Sequence, residues 1–354
     1  MMREGRLCEH LESMRKSLLS WYDGHARDLP WRREGDPYRV WLSEVMLQQT
    51  QVETVIPYYA RFLEAYPTLA ALAAAGEQEV LKLWEGLGYY ARARRFLAAV
   101  QEVQARHGGQ VPSDPGTFRS LSGVGPYTAA AVLSIAYGIP LAAVDGNVSR
   151  VVSRVFCLEG DPRKAPGKKG IRCRADDMLD PRRPGDFNQA LMDLGASLCT
   201  PRNPSCGDCP LEPFCLAHKR GRVHAIPPRK RQKSRPLEEV TVAVVIRGKR
   251  CLVRKRPRGG LLGGLWEFAT IAPGVLCAEQ VSLGEQLGVL DHSFSHLRWR
   301  VSVYWSDIVG APPQCPPWRW VTGAELVLLP FPAVYRPVIE AVRRRLDPGW
   351  SEPF

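Results

Sequence analysis

Apolar residues recur at helical spacing through the first 225 residues of the chain. Residues 76–109 show this spacing twice, at Val80, Leu83, Trp84 and Leu87, and then at Phe96, Leu97, Val100 and Val103. Gly108 and Gly109 are expected to end the second of these helices. The pattern therefore predicts that the first part of the chain is helical.

Residues 114–138 predict two helices joined by a tight turn. Gly123 and Gly125 form the turn, and Pro126 suits the first position of the second helix. Glycines permit positive φ and close backbone approach, so free amides at that helix start can hold a phosphate. An ordinary connection between helices fits the two glycines equally well.

The pattern changes after a basic, proline-rich stretch at 222–236, which is typical of a linker. Beyond it, strands are predicted at 238–246, 250–256, 265–271 and 298–308, and helices at 278–288 and 332–346. We therefore expect a helical domain at 1–221, a linker at 222–236 and a smaller α+β domain at 237–354. Within the helical domain, residues 161–184 are interpreted as a solvated connection with a short helix near Asp176.

Composition adds an expectation about partners and location. The formal net charge of +12 favours a polyanionic partner, nucleic acid before an anionic membrane, although charge alone fits a basic soluble protein as well. There is no run of eighteen apolar residues, and the first ten residues lack the apolar region of a secretory signal. We expect no membrane association and a reducing, cytoplasmic location, at the nucleoid if the source is bacterial.

Four of the ten cysteines are clustered with the spacing Cys-x6-Cys-x2-Cys-x5-Cys, at Cys199, Cys206, Cys209 and Cys215. In a reducing compartment such a cluster indicates a metal centre and not disulfides. Four thiolates suit either an iron–sulfur cluster or a structural zinc ion.

Glu44 stands in a strongly apolar helical stretch, WLSEVMLQQTQV, at 41–52. Charged residues are seldom fully buried unless they are paired or have a function. Glu44 therefore faces solvent, pairs with a distant residue, or takes part in chemistry.

Three motifs together resemble the endonuclease III superfamily of DNA glycosylases. They are LSGVGPYTAAAVL at 121–133, VDGNVSRV at 144–151 and the cysteine spacing from Cys199 to Cys215. The resemblance implies an all-α helix-hairpin-helix glycosylase domain in which Gly123 and Gly125 contact DNA. It also implies one [4Fe–4S] cluster, held by Cys199, Cys206, Cys209 and Cys215.

Longer motifs at 29–32, 37–52, 83–94 and 187–200 are similar to the adenine-specific MutY family of that superfamily. The similarity implies that Glu44 is the general acid and base, which protonates N7 of an adenine flipped out of the duplex. Asp145 would stabilise the cationic sugar, while Tyr127 and Asn147 would line the sugar site. The apolar neighbours of Glu44 are expected to raise its pKa toward neutrality.

The same resemblance implies further contacts. Trp31, Arg32 and Gln189 would form the adenine pocket, and the expected DNA contacts are Gln49, Thr50, Leu87 and Tyr89. Relatives that also cleave the strand carry a lysine where this chain has Tyr127. A phenol cannot form the imine of that reaction, so we expect a monofunctional glycosylase that leaves the abasic strand intact.

The second domain resembles the Nudix-like domain of the MutY family, most clearly in KRPRGGLLGGLWEFA at 255–269. The predicted helix at 278–288 supplies only Glu279 and Glu285 and lacks the R-E-x2-E-E block, which opposes phosphohydrolysis. Phe294, Ser295 and His296 match the loop that recognises 8-oxoguanine in this family. The implied partner is double-stranded DNA with an 8-oxoguanine·adenine mispair, bound by a monomer.

Three alternatives remain open at this stage. The main one is an endonuclease III-like pyrimidine glycosylase with lyase activity, which Tyr127, the Glu44 helix and the second domain oppose. The others are a nucleotide hydrolase, opposed by the degenerate Nudix helix, and a non-catalytic iron–sulfur protein that binds DNA. The presence of both Glu44 and Asp145 argues against the last.

Overall fold

The computed structural model describes residues 2–228, 234–272, 280–310 and 316–347, with side chains from residue 9 onward. The chain divides into two compact units. The first unit comprises Met1–Ala73 and Ala98–Arg231, and the second comprises Ala74–Leu97 and Gln232–Phe354. No helix among the described residues is both long enough and apolar enough to cross a lipid bilayer.

Helices make up the regular structure of residues 2–228, as the spacing of apolar residues predicts. They are α1 (Met2–His25), α2 (Pro37–Leu47), α3 (Val52–Ala65), α4 (Leu69–Ala73), α5 (Glu77–Leu83), α6 (Ala91–Arg106), α7 (Pro115–Ser120), α8 (Pro126–Tyr137), α9 (Gly146–Val155), α10 (Ala165–Met178), α11 (Pro184–Ser197) and α12 (Leu216–Lys219). Apolar faces of α1, α9, α10 and α11 pack into one core that includes Leu18, Val152, Met178 and Phe187.

Aspartates fix the starts of three helices in the first unit. The side chains of Asp36, Asp114 and Asp145 each accept a hydrogen bond from the backbone N–H three residues later, at the starts of α2, α7 and α9. The predicted helix–turn–helix is confirmed as α7 and α8, with Gly123 at φ +78° in the turn and Pro126 in the first turn of α8. The hydrogen bond to the backbone therefore fixes the Asp145 side chain, and the tight turn at Gly123 fixes the connection between α7 and α8.

The predicted short helix near Asp176 is wrong in extent, because α10 runs over fourteen residues from Ala165 to Met178. Ile171, Ala175 and Met178 are buried at helical spacing, and they attach α10 to the core of the first unit. Proline and glycine at the beginning of the helix concealed this pattern in the sequence.

A mixed sheet of six described strands forms the second unit, in the order β4–β5–β1–β3–β2–β6. The strands are β1 (Leu237–Arg247), β2 (Arg250–Lys255), β3 (Trp266–Ile271), β4 (Val281–Ser293), β5 (Arg298–Ile308) and β6 (Trp318–Val321). β1 and β5 are parallel, and the other pairs are antiparallel. α13 (Gly323–Leu328) and α14 (Arg336–Leu346) complete a core that includes Val244, Phe268 and Phe331.

The helix predicted at 278–288 is wrong where the structure describes it. Residues 281–293 form β4, which pairs with β5 through two irregularities near Gln286. The residues of β4 are mostly exposed, so no alternation of apolar positions marked it as a strand. Glu285 therefore lies on an edge strand, and Glu279 lies outside the described residues.

Residues 74–97 belong to the second unit, whereas the sequence analysis assigned them to the helical domain. Hydrogen bonds explain the difference. Trp266 Nε1 donates to Gln78 Oε1 at 2.7 Å, and the Arg94 guanidinium donates to the carbonyls of Arg258 and Gly263. Hydrogen-bond partners this distant in the sequence leave no local pattern. The sequence analysis therefore grouped residues 74–97 with the helices that precede and follow them in the chain.

The predicted linker at 222–236 is partly packed. Val223 and Ile226 are buried in a small cluster with Cys157 and Ala217. Residues 229–233 lie outside the described residues, and β1 begins at Leu237.

Candidate active site

A cavity of about 730 Å³ lies in the first unit, with walls formed by α2, α8, α9, α11 and the hairpin turn. It brings together eleven residues that the sequence analysis had singled out: Trp31, Arg32, Glu44, Gln49, Thr50, Gly123, Gly125, Tyr127, Asp145, Asn147 and Gln189. They come from segments up to 158 residues apart in the chain (189 − 31), so the fold gathers the predicted catalytic, adenine-pocket and hairpin residues around one space.

Glu44 is a buried carboxyl group at the wall of this cavity. Only 5% of its surface is exposed, and its neighbours Val40 and Trp41 are buried beside it. Tyr127 Oη donates a hydrogen bond to Glu44 Oε2 at 2.7 Å. Burial raises the pKa of Glu44 to about 7; the Tyr127 hydrogen bond and the Arg32 charge oppose this rise, and the Asp145 charge adds to it. Glu44 can therefore both donate and accept a proton near neutral pH.

Asp145 faces the same cavity from the start of α9. Its Oδ1 accepts a hydrogen bond from the Val148 backbone N–H at 2.7 Å, which fixes the carboxyl group. Burial raises the pKa of Asp145, and the backbone N–H groups of Val148 and Asn147 oppose the rise. Asn147 is in turn held by Arg150, whose Nη2 donates to Asn147 Oδ1 at 2.9 Å. The arrangement sets a carboxylate where it could stabilise a cation.

The adenine-pocket candidates Trp31, Arg32 and Gln189 line the same cavity. Trp31 is buried and meets Tyr59 edge to face, with ring centroids 5.4 Å apart. Arg32 donates two hydrogen bonds to Asp193, at 2.7 and 3.0 Å. The sequence analysis missed Asp193, a buried carboxylate that also binds Arg27. An aspartate on the apolar face of α11 was the signal that could have revealed it.

We expect Tyr127→Phe to move the alkaline limb of the pH–rate profile upward by about one pH unit. An acid acts only while protonated, so the single-turnover rate of a reaction in which Glu44 is the acid should fall as pH rises through the pKa of Glu44. The Tyr127 hydrogen bond lowers that pKa, so losing the bond should raise it. Tyr137→Phe is the control, because it removes another tyrosine hydroxyl group from α8. That hydroxyl group donates a hydrogen bond to the Val111 carbonyl. An unmoved limb in Tyr127→Phe would contradict the assignment of the limb to Glu44.

Cys199, Cys206, Cys209 and Cys215 line one small cavity at the end of the first unit. Arg154 is buried there, and its Nη1 lies 3.3 Å from Cys199 Sγ. Burial raises the pKa of Cys209 to about 12 and also raises the pKa values of Cys206 and Cys215. Thiolates at such a place require a strong positive charge, as a metal centre supplies. Within the described part of the chain, no three Cys, His, Asp or Glu side chains form a group suited to one metal ion. Four cysteine thiolates lining one cavity suit either an iron–sulfur cluster or a structural zinc ion.

The second unit holds another cavity, of about 630 Å³, near the predicted lesion-recognition loop. Phe294, Ser295 and His296 all line it. The Phe294 ring packs edge to face against His292 and Trp299, with centroids 4.5 and 5.0 Å away. Ser295 is exposed, 3.4 Å from His296 Nδ1. Phe294 thus anchors a loop that presents a hydroxyl group to the cavity.

The segment 86–95 forms another wall of this cavity. Tyr89 is 45% exposed and has a φ of +48°, directly after Gly88 at +70°. Its ring is exposed to solvent, and its DNA-contacting role stays a prediction. Leu87 is only 5% exposed in the protein without DNA, and its DNA-contacting role stays a prediction. The tight turn points the Leu87 side chain inward.

Comparisons with known proteins agree with this architecture. Family models match an HhH-GPD superfamily base excision DNA repair protein at residues 42–171, the iron–sulfur binding domain of endonuclease III at 199–215, and a NUDIX domain at 241–341. The chain is 38% identical to the adenine DNA glycosylase of Rattus norvegicus, over 96% of this chain and 80% of that one. It is also 38% identical to the Homo sapiens adenine DNA glycosylase, over 88% of this chain and 71% of that one.

Solved structures resemble part of the chain. A thermostable thymine-DNA glycosylase is 29% identical and aligns with a TM-score of 0.55 over 60% of this chain and 98% of its own. A non-covalent endonuclease III–DNA complex aligns with a TM-score of 0.50 at 22% identity, over 62% of this chain and 98% of that one. This second likeness concerns the fold alone.

Proposed function

Since the chain belongs to the adenine DNA glycosylase family, whose members hydrolyse N-glycosyl bonds, we propose that it removes adenine mispaired with 8-oxoguanine or guanine in double-stranded DNA. The observation that carries the proposal is the meeting of Glu44, Tyr127 and Asp145 at one cavity. Adenine within a duplex is out of reach of these groups, so its nucleotide flips into the cavity.

Glu44 starts the reaction in its protonated form. It donates its proton to N7 of the flipped adenine, and the base then leaves with the electrons of the glycosidic bond. The cationic sugar is stabilised by Asp145, either as an ion pair or through a transient covalent bond. Glu44, now a carboxylate, takes a proton from the incoming water. The pKa of about 7 supports both roles, since neither protonation state is strongly disfavoured at neutral pH.

The proposed reaction ends with an intact abasic strand. No lysine occurs among the described residues that line the Glu44 cavity, and Tyr127 occupies the position from which a lysine attacks the sugar in strand-cleaving relatives. An enzyme without that amine forms no imine and performs no efficient β-elimination. Borohydride trapping tests this directly, since a strong covalent adduct with DNA would favour a pyrimidine glycosylase with lyase activity instead.

The preference for 8-oxoguanine is proposed to reside in Ser295. Its hydroxyl group can hydrogen-bond the N7–H and O8 edge of the oxidised base, which normal guanine does not present. Ser295→Ala should reduce the preference for 8-oxoguanine·adenine over guanine·adenine by about tenfold, the value of one such hydrogen bond. Measured single-turnover rates and dissociation constants on both duplexes give the ratio. Ser282→Ala, at an exposed serine of β4 away from the cavity, is the control. Unchanged discrimination in Ser295→Ala would reject this role.

We propose that the cysteine loop holds one [4Fe–4S] cluster. Cys199, Cys206, Cys209 and Cys215 would be its ligands, and the positive charge of the cluster would keep their thiolates stable despite burial. Its proposed role is to organise a loop near the DNA. Four iron and four sulfide ions per purified chain are expected, and one zinc ion per chain would overturn the assignment.

A glycosylase assay tests the whole proposal. Excision is expected with 8-oxoguanine·adenine first and guanine·adenine second, with strand scission only after alkali. Oxidised pyrimidines should remain uncut, and their excision would favour the pyrimidine-specific alternative. We also propose that the enzyme is a monomer and that it acts in the cytoplasm, at the nucleoid if the source is bacterial.

A further inference from the structure

A second large cavity in the first unit adjoins the active site. Its volume is about 880 Å³, and it shares five wall residues with the Glu44 cavity: Pro126, Tyr127, Val144, Asp145 and Gly146. Beyond that wall the two cavities differ in character. The second cavity is lined by the cations Arg150, Arg154, Arg163, Lys168, Arg172 and Arg202, and among its described lining residues Asp145 is the sole carboxylate.

Several of these cations are already engaged within the protein. Arg150 and Arg154 donate to backbone carbonyls near the cysteine loop, and Arg163 is bonded to Asp161. Lys168 is exposed and has no ion-pair partner in the described part of the chain, while Arg172 makes one exposed contact of 3.1 Å with Asp176. Solvent-exposed ion pairs of this kind are weak. Arg172 can therefore leave Asp176 and bind another anion, such as a phosphate group.

The fold holds these two side chains toward the cavity. Lys168 and Arg172 are four residues apart on α10 and therefore occupy the same face of the helix. Ile171, Ala175 and Met178 bury the adjoining face in the core, which fixes the rotation of the helix. Apolar residues such as Ile171 and Pro227 complete a lining that suits a sugar–phosphate chain, which has both apolar and anionic parts.

We propose that the second cavity takes the DNA backbone next to the flipped nucleotide, and that Lys168 and Arg172 bind its phosphates. The inference rests on the proposed function, because it starts from an adenine base in the Glu44 cavity. The sugar of that nucleotide then lies at the shared wall, beside Asp145. The strand must continue from this sugar, and the cation-lined cavity is on the other side of the same wall.

The test compares two double variants of the full-length protein with equal loss of charge. Lys168→Ala/Arg172→Ala removes the cations of the cavity, and Lys169→Ala/Arg174→Ala removes two exposed cations of the same helix that do not line it. Each lost phosphate contact lowers the slope of log K against log salt concentration by about 0.9. When salt rises from 50 to 200 mM, both proteins should lose affinity for the 8-oxoguanine·adenine duplex. The loss should be about twelvefold smaller for Lys168→Ala/Arg172→Ala than for the unmodified protein. The control pair should keep the original slope.

Neutral methylphosphonate linkages identify the phosphate concerned. A linkage placed next to the adenosine, on its 3′ or its 5′ side, should weaken binding of the unmodified protein. On the side where Lys168 and Arg172 bind the phosphate, the same linkage should weaken DNA binding by Lys168→Ala/Arg172→Ala little further. Equal slopes of log K against log salt concentration for the two double variants would overturn the inference. So would a methylphosphonate linkage that, on both sides of the adenosine, weakens binding of Lys168→Ala/Arg172→Ala as much as binding of the unmodified protein. Failure of this inference is distinct from that of the proposed function, because the glycosylase assay of the unmodified protein at saturating protein tests adenine excision without either double variant.

Discussion

Glu44→Gln is expected to lower the single-turnover rate of adenine excision by about 10³-fold, within the usual range for losing a general acid. Glutamine has nearly the same size and can still accept the hydrogen bond from Tyr127 Oη, so the cavity should keep its shape. It cannot deliver a proton to the purine. The measurement is a single-turnover excision assay at saturating protein with 8-oxoguanine·adenine duplex.

The control for this prediction is Glu53→Gln, at an exposed glutamate in the first turn of α3. The control variant should cleave at the normal rate, and both variants should bind the duplex with a dissociation constant within about threefold of the unmodified protein. Excision by Glu44→Gln at the normal rate would show that another group supplies the proton.

Asp145→Asn is expected to lower the same rate by about 10²- to 10³-fold, the typical cost of removing one stabilising group from a transition state. Asparagine caps helices about as well as aspartate, so it should still accept the hydrogen bond from the Val148 N–H. The substitution therefore isolates the negative charge from the cap. Excision kinetics and thermal unfolding should be measured on the same preparation.

Asp114→Asn provides a matched comparison, because Asp114 caps α7 in the same way and does not line the Glu44 cavity. Both variants should melt within a few degrees of the unmodified protein, and only Asp145→Asn should lose activity. A large drop in melting temperature for Asp145→Asn with a proportionate loss of excision would make Asp145 a structural cap only.

Local patterns were sufficient for most of the fold. Helical spacing located α5 and α6, and the apolar strands β1, β2, β3 and β5 were recognised from their composition. The failures have physical causes. β4 is an exposed edge strand whose hydrogen bonds to β5 carry no apolar signature, and β6 has only four residues. Both β4 and β6 form because they pair with another strand, and the local sequence of neither strand shows that pairing.

The candidate site divides in a similar way. Similarity to a family identified Glu44, Tyr127 and Asp145, whereas the apolar helix around Glu44 by itself left a solvent-facing, a paired and a catalytic carboxyl group open. Residue spacing could not reveal that Asp193 holds Arg32, because the two are 161 residues apart and meet only in the folded chain. The burial of Leu87 was hidden for a related reason. The direction of its side chain follows from positive φ values at Gly86 and Gly88, which the residue types permit but do not impose.

The membership of residues 74–97 in the second unit affects how the chain can be divided experimentally. A truncation at residue 231 would separate Gln78 and Arg94 from Trp266, Arg258 and Gly263, and would leave the Tyr89 turn without its support. An isolated fragment beginning at residue 232 would lack a helix and a turn of its own body. Neither half of the linear chain is therefore a transplantable module, and exchanging carboxyl-terminal halves between relatives would have to carry this internal segment along.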